Sequence, residues 1–172
     1  MALLISARLQ SQIEQEAASA YPLECCGLML GQILSTSTDA EGRDDRQVCQ
    51  LVSADNRWDA SVQEVTDPRG SSPMGIDKPL DRHRRYWIDP EMMLKVQKEA
   101  RDRNLDIIGV YHSHPDHPAV PSECDRRLAW PVYSYVIVSV TAGKAENFLS
   151  WRLNDDHQFQ SEAVKILDET SP

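Results

Sequence analysis

Residues 109–125 read GVYHSHPDHPAVPSECD. Three of the chain's five histidines, His112, His114 and His117, fall within six positions here, and Ser122 and Asp125 follow. The stretch opens as the end of a strand: DIIGVYHSHP is apolar and β-branched, and Pro115 cannot donate to a sheet ladder. Side chains two apart on a strand share a face. His112 and His114 therefore project together, Ser113 turns to the other face, and both imidazoles lie near a strand end. SECDRRLAW reads as a short helix, with Asp125 in its first turn, eleven positions beyond His114.

These residue types suit a divalent cation. Two imidazole nitrogens and a carboxylate, with the fourth position left to water, form a known catalytic zinc arrangement. Plainer readings stand beside it. A His-x-His pair also occurs as ordinary surface or core histidines, Ser122-x-x-Asp125 matches a helix capping box, and Asp116 and His117 are rival ligands across a proline-rich turn. Hydrolysis at a metal also needs a base that takes a proton from water and hands it on. Glu24 stands at the start of an otherwise apolar strand, where an unpartnered buried charge would be costly. Its plainer reading is an edge-exposed glutamate just after Pro22.

Working outward, SARLQSQIEQEAASAYP reads as an amphipathic helix, with Leu4, Ile5, Leu9, Ile13 and Ala17 at roughly helical spacing and Pro22 ending it. LECCGLMLGQIL, broken by Gly27 and Gly31, reads as a buried strand, and QVCQLVSA as a second strand paired with it across a polar loop. Residues 66–85 carry prolines, glycines and charges without an apolar period and read as a loop, either a flexible tether or a lid. The next helix has Asp89 at its cap, Pro90 at the first helical position and Glu91 in its first turn, and Met92, Met93, Val96 and Ala100 form its inner stripe. YSYVIVSV is a further strand, and NFLSWRLND with HQFQSEAVKIL is a closing hairpin.

Composition bounds the function. The 172 residues, 41% hydrophobic, suit one domain spanning 1–172. A net charge of −9 repels phosphate backbones and argues against nucleic acid. No apolar run is long enough for a membrane helix, and the N-terminus turns polar too early for a secretory signal, so a soluble, cytoplasmic protein is expected. Cys25, Cys26, Cys49 and Cys124 contain no CxxC pair, which favours reduced thiols over a disulfide framework or a four-cysteine zinc site.

Taken together, Glu24, His-Ser-His-Pro at 112–115, and Ser122 and Asp125 eight and eleven places after His114 resemble the signature of the JAMM, or MPN-plus, zinc metalloproteases. YPLECCGLMLG and RYWIDPEMM…GVYHSHP add further likeness, and the resemblance runs from Tyr21 to about Leu153. It implies an α/β fold with a curved mixed sheet wrapped by helices, similar in shape to cytidine deaminases. It implies Zn2+ on His112, His114 and Asp125, Glu24 as the base, and Ser122 as donor to the oxyanion. The missing H-x-E and P-C-x-x-C pair argues against deamination itself. Asp125 is followed only by RRLAWPVYSYVIV, which resembles the compact, stand-alone prokaryotic branch. The implied substrate is a ubiquitin-like sulfur-carrier protein, cut after its C-terminal diglycine, with the tail laid against a sheet edge. A non-catalytic scaffold and a small-amide hydrolase are the alternatives. Cys124, beside a ligand, could take the water's place or pack inward. The oligomeric state stays open.

Overall fold

A computed structural model describes residues 1–34, 44–58 and 85–168. Among these residues seven strands and three helices follow in the order β1 (Ala2–Ser6), α1 (Ala7–Ala20), β2 (Cys26–Leu34), β3 (Asp45–Ala54), α2 (Pro90–Arg101), β4 (Asp106–Pro115), α3 (Glu123–Leu128), β5 (Ser134–Thr141), β6 (Lys144–Leu153) and β7 (Phe159–Leu167). The strands pair in the order β1-β3-β2-β4-β5-β6-β7, and β1 closes the sheet by also running parallel to β7. Parallel β4–β5 and antiparallel β2–β4 and β5–β6 pairs make the sheet mixed.

The expected mixed sheet with flanking helices is present, with a correction at the N-terminus. Leu4 and Ile5, read as part of the first helix, belong to β1. Ala2, Leu3 and Ile5 are buried there, and helix α1 begins only after Ser6, whose hydroxyl accepts the Leu9 N–H as an N-cap. That strand is what closes the barrel. Closure leaves no edge strand among the described residues, so a peptide tail could add only where one strand outruns its neighbour.

Alternation along the strands sorts the core into two clusters. Met29, Ile108, Tyr111, Val136 and Val138 pack with Leu9, Ile13 and Ala17 of α1. Leu28, Leu30, Ile107, Val110 and Tyr135 pack with Val96 and Ala100 of α2, and Met92 and Met93 lean on that cluster. Each fully buried aliphatic side chain contributes about 1.5–3 kcal/mol of transfer free energy. Helix α2 starts as its sequence dictates, with the Asp89 carboxylate accepting the Glu91 N–H at 2.9 Å and Pro90 in the first turn.

Two glycines permit close approaches that the site depends on. A Cβ at Gly27 would stand 2.2 Å from the Tyr111 ring, and one at Gly109 would stand 2.4 Å from the Ser134 carbonyl oxygen. Strand β4 can thus lie close between β2 and β5. Of the 66–85 loop only Arg85 lies among the described residues. The segments flanking residues 59–84 are joined: Arg57 N–H donates to the Trp87 carbonyl at 3.0 Å.

Candidate metal centre

Strand β4 runs between β2 and β5, with His112 opposite Cys26 and Ile137, and His114 opposite Ser139. Its pleat puts both imidazoles on one face. Their Nε2 atoms stand 3.1 Å apart. Pro115 is the last residue of the strand, and Asp116, in a left-handed conformation with φ of 54°, turns the chain away. After that turn α3 returns Asp125 to the histidines. The Asp125 carboxylate reaches His112 Nε2 at 3.4 Å through Oδ1 and His114 Nε2 at 3.7 Å through Oδ2.

The capping box read in the sequence is present as well: Ser122 N–H donates to Asp125 Oδ2 at 2.6 Å, and Asp125 N–H donates to Ser122 Oγ at 3.2 Å. Capping and site formation do not compete. The cap uses Oδ2 and aims the carboxylate, while Oδ1 faces His112. Ser122 accepts with a lone pair, so its own O–H stays available to donate.

His112, His114 and Asp125 form the only cluster among the described residues in which three potential ligand atoms all lie within 4.8 Å of one another. Tetrahedral ligands at zinc-like bond lengths of about 2.0–2.2 Å sit about 3.3–3.6 Å apart. The observed 3.1, 3.4 and 3.7 Å separations bracket that edge. His114 Nδ1 lies 2.8 Å from the Pro118 carbonyl, a bond that spends the ring's proton there and leaves a lone pair on Nε2. The ring of His112 is fully buried and stacks on Tyr86, with centroids 4.4 Å apart and planes at 25°. The donor set therefore fits a divalent cation.

Electrostatics follow from burial. Burial pushes His112 down to about 3 and keeps it neutral, as a ligand must be. Burial would also raise Asp125, yet the two histidines and the Ser122 side chain hold its carboxyl well below the usual range. Burial would lower His114, but the Asp125 carboxylate, Glu24 and the Pro118 carbonyl together outweigh it and raise the imidazole. Glu24 lies just before β2, not within it, and is 6% exposed, so the edge-exposed alternative does not hold. Burial pushes its carboxyl up to about 8, against the opposing pull of His114. A cleft of about 660 Å³, lined by Glu24 with Leu23, Asn56 and Arg57 among others, opens beside it.

The rival ligands fall elsewhere. Asp116 accepts the Tyr21 hydroxyl at 3.0 Å and the Ala142 N–H at 3.4 Å, which makes it a turn residue. Neither His117 nor Cys124 is among the converging atoms. Burial pushes the Cys124 thiol up to about 11. The sequence carries no local mark of Tyr86, Asn56 or Ser113 as site residues by residue type. For Ser113 alone there was a signal, its strand parity.

Comparison with known proteins agrees with this geometry. The profile of the family described as prokaryotic homologs of the JAB domain matches residues 6–154. A desampylase of Pyrococcus furiosus is 31% identical over 86 residues, covering 49% of this chain and 56% of that protein. A probable TtuB-protein conjugate cleaving protease of Thermus thermophilus is 39% identical over 61 residues, covering 35% and 40%. The chain thus spans about half the length of the curated relatives it matches. The solution structure of a Salinibacter ruber protein superposes with a TM-score of 0.63 at 31% identity, covering 100% of this chain and 95% of that one. With the His-His-Asp cluster and the mixed closed sheet in place, the chain belongs to the prokaryotic JAB-domain branch of the JAMM/MPN family.

Proposed function

We propose that this chain is a zinc-dependent metallopeptidase that hydrolyses the bond after the C-terminal diglycine of a ubiquitin-like sulfur-carrier protein. The observation that carries the reading is the convergence of His112, His114 and Asp125, with the buried Glu24 in electrostatic reach of His114 and Asp125. The relatives that carry the names desampylase and probable TtuB-protein conjugate cleaving protease support a protein substrate of this class.

In this reading His112 Nε2, His114 Nε2 and the Asp125 carboxylate would hold the zinc. Bound there, zinc supplies a Lewis acid and makes water acidic enough to react near pH 7. Glu24 does the proton work: its carboxylate takes the proton from the attacking water and later gives it to the leaving amine. A buried carboxyl raised toward neutrality is matched to both halves of that task. Ser122, with its O–H left unspent by the cap, donates to the oxygen that gains charge, a contact worth on the order of a hundredfold in rate. The Tyr86 ring and the apolar cluster behind His112 exclude water from the rear of the ligands.

The test is an incubation of the zinc-loaded protein with three substrates: a sulfur carrier extended past its Gly-Gly, an isopeptide-linked ubiquitin, and a free dipeptide. Cleavage of the first, abolished by a chelator, is the expected result. Hydrolysis of the dipeptide alone would move the reading to a small-amide hydrolase, and no cleavage of any would leave a binding module.

A further inference from the structure

The peptide group that follows Glu24 is held at both of its polar atoms. Its carbonyl accepts from Asn56 Nδ2 at 3.1 Å, and its N–H, that of Cys25, donates to Ser113 Oγ at 2.9 Å. A second bond reinforces the first, since Ser113 N–H donates to the Cys25 carbonyl at 3.2 Å. Ser113 is fully buried and stands between His112 and His114 on β4.

Asn56 uses its whole side chain. Nδ2 also donates to the Arg85 carbonyl at 2.8 Å, while Oδ1 accepts the Trp58 N–H at 3.1 Å and the Trp87 N–H at 3.2 Å. Between Arg85 and Trp87 lies Tyr86, the residue stacked on His112. One amide therefore ties the backbone of Glu24 to the segment packed on a candidate ligand.

Residues 24 and 25 precede β2, and the Glu24 carbonyl and Cys25 N–H find side-chain partners where a strand ladder would supply backbone ones. Where a ladder is missing, side chains must satisfy and orient the backbone. With the carbonyl and the N–H of one peptide plane both fixed, that plane cannot rotate, and the direction in which Glu24 leaves the backbone is set relative to the two histidines.

We propose that Asn56 and Ser113 are positioning residues for Glu24, locking the peptide plane after it so that its carboxylate is aimed at the His112–His114–Asp125 centre. The inference rests on the reading of Glu24 as the base. Neither residue touches the reacting atoms. Their effect comes through placement, and a displacement of about 1 Å at a catalytic group can cost on the order of a hundredfold in rate.

The experiment compares Ser113→Ala, Ser113→Thr and Asn56→Ala in the zinc-loaded full chain, cleaving a sulfur carrier extended by one residue past its Gly-Gly. Ser113→Ala and Asn56→Ala lower kcat about 10- to 100-fold, with KM and zinc content unchanged, and Ser113→Thr, which restores the hydroxyl, recovers most of kcat. Ser113→Ala also speeds amide hydrogen exchange at Cys25 about tenfold or more, while Leu28 and Met29 in β2 keep their protection. In a Glu24→Gln background neither alanine change costs anything further.

Unchanged kcat in Ser113→Ala, a loss carried by KM or zinc content, or a loss that persists undiminished in the Glu24→Gln background would each overturn the proposal. If Asn56→Ala fails to fold, the Ser113 pair decides. Should Glu24→Gln alone keep parental turnover, the base assignment fails; the Cys25 exchange rate still judges whether the clamp exists.

Discussion

Replacing Glu24 by glutamine separates chemistry from stability, because the change removes one ionisation and almost no volume. The carboxyl is 6% exposed, and burial raises it from an ordinary 4.5 to about 8. The sign follows from which state binds the proton more tightly. A carboxyl raised in the folded state stabilises that state when protonated, so the contribution is fully present below pH 4.5 and is lost as pH rises toward 8. At about 1.4 kcal/mol per pH unit, the metal-free parent gives up about 3 kcal/mol by pH 7. Glutamine cannot ionise and gives up none of it.

For a chain of this size that difference is roughly 6–12 °C in Tm. Thermal unfolding of the chelator-treated parent and variant from pH 4.5 to 9 should therefore show curves that coincide in acid and diverge as pH rises, with Glu24→Gln the more stable. Turnover of the zinc-loaded variant should fall about 10²- to 10⁴-fold, the usual share of a general base. Parallel Tm curves across the whole range would refute the claim that Glu24 is desolvated. Parental turnover would refute its role as base.

His114→Ala should weaken zinc binding by 100-fold or more, measured by metal analysis after dialysis, whereas Glu24→Gln keeps the parental one equivalent; the second-sphere partners of a metal ligand alone are worth 10- to 100-fold. Tyr111→Phe removes a 2.6 Å hydrogen bond from a fully buried hydroxyl to Glu16 Oε2 and should cost about 1–3 kcal/mol in urea unfolding; an unchanged midpoint would mean that the bond contributes nothing net. Gly31→Ala would place a Cβ 1.9 Å from the Gln47 carbonyl oxygen, backbone that cannot swing aside, so the variant should be destabilised by several kcal/mol or fail to accumulate folded. Cys49 is exposed whereas burial pushes Cys25 up to about 11, so a thiol reagent at pH 8 should modify Cys49 first by mass spectrometry.

Most elements were legible because their periodicity is local. The α2 cap at Asp89, the buried runs of β2, β4 and β5, and the parity that sends Ser113 away from His112 and His114 are properties of a few consecutive residues. The N-terminal strand was not. Leu4 and Ile5 satisfy a helical spacing with Leu9 as well as they satisfy a strand, and five residues are too few to decide between them. Pairing with β7, some 160 residues away in sequence, decides it.

The candidate centre divides in the same way. From the sequence alone came the two imidazoles on one face, a proline to end their strand, an acid and serine at motif spacing, and an acid ahead of the first apolar strand. Those follow from fixed backbone periods and from side-chain chemistry. Only the tertiary structure decided that Asp125 returns to within 3.4 Å of His112, that Glu24 is buried rather than on an edge, and that Asn56 joins the carbonyl of Glu24 to that of Arg85, next to Tyr86. Distances between elements depend on how closed sheets and packed helices meet, and burial depends on every neighbour at once, so neither is written in any short stretch of chain.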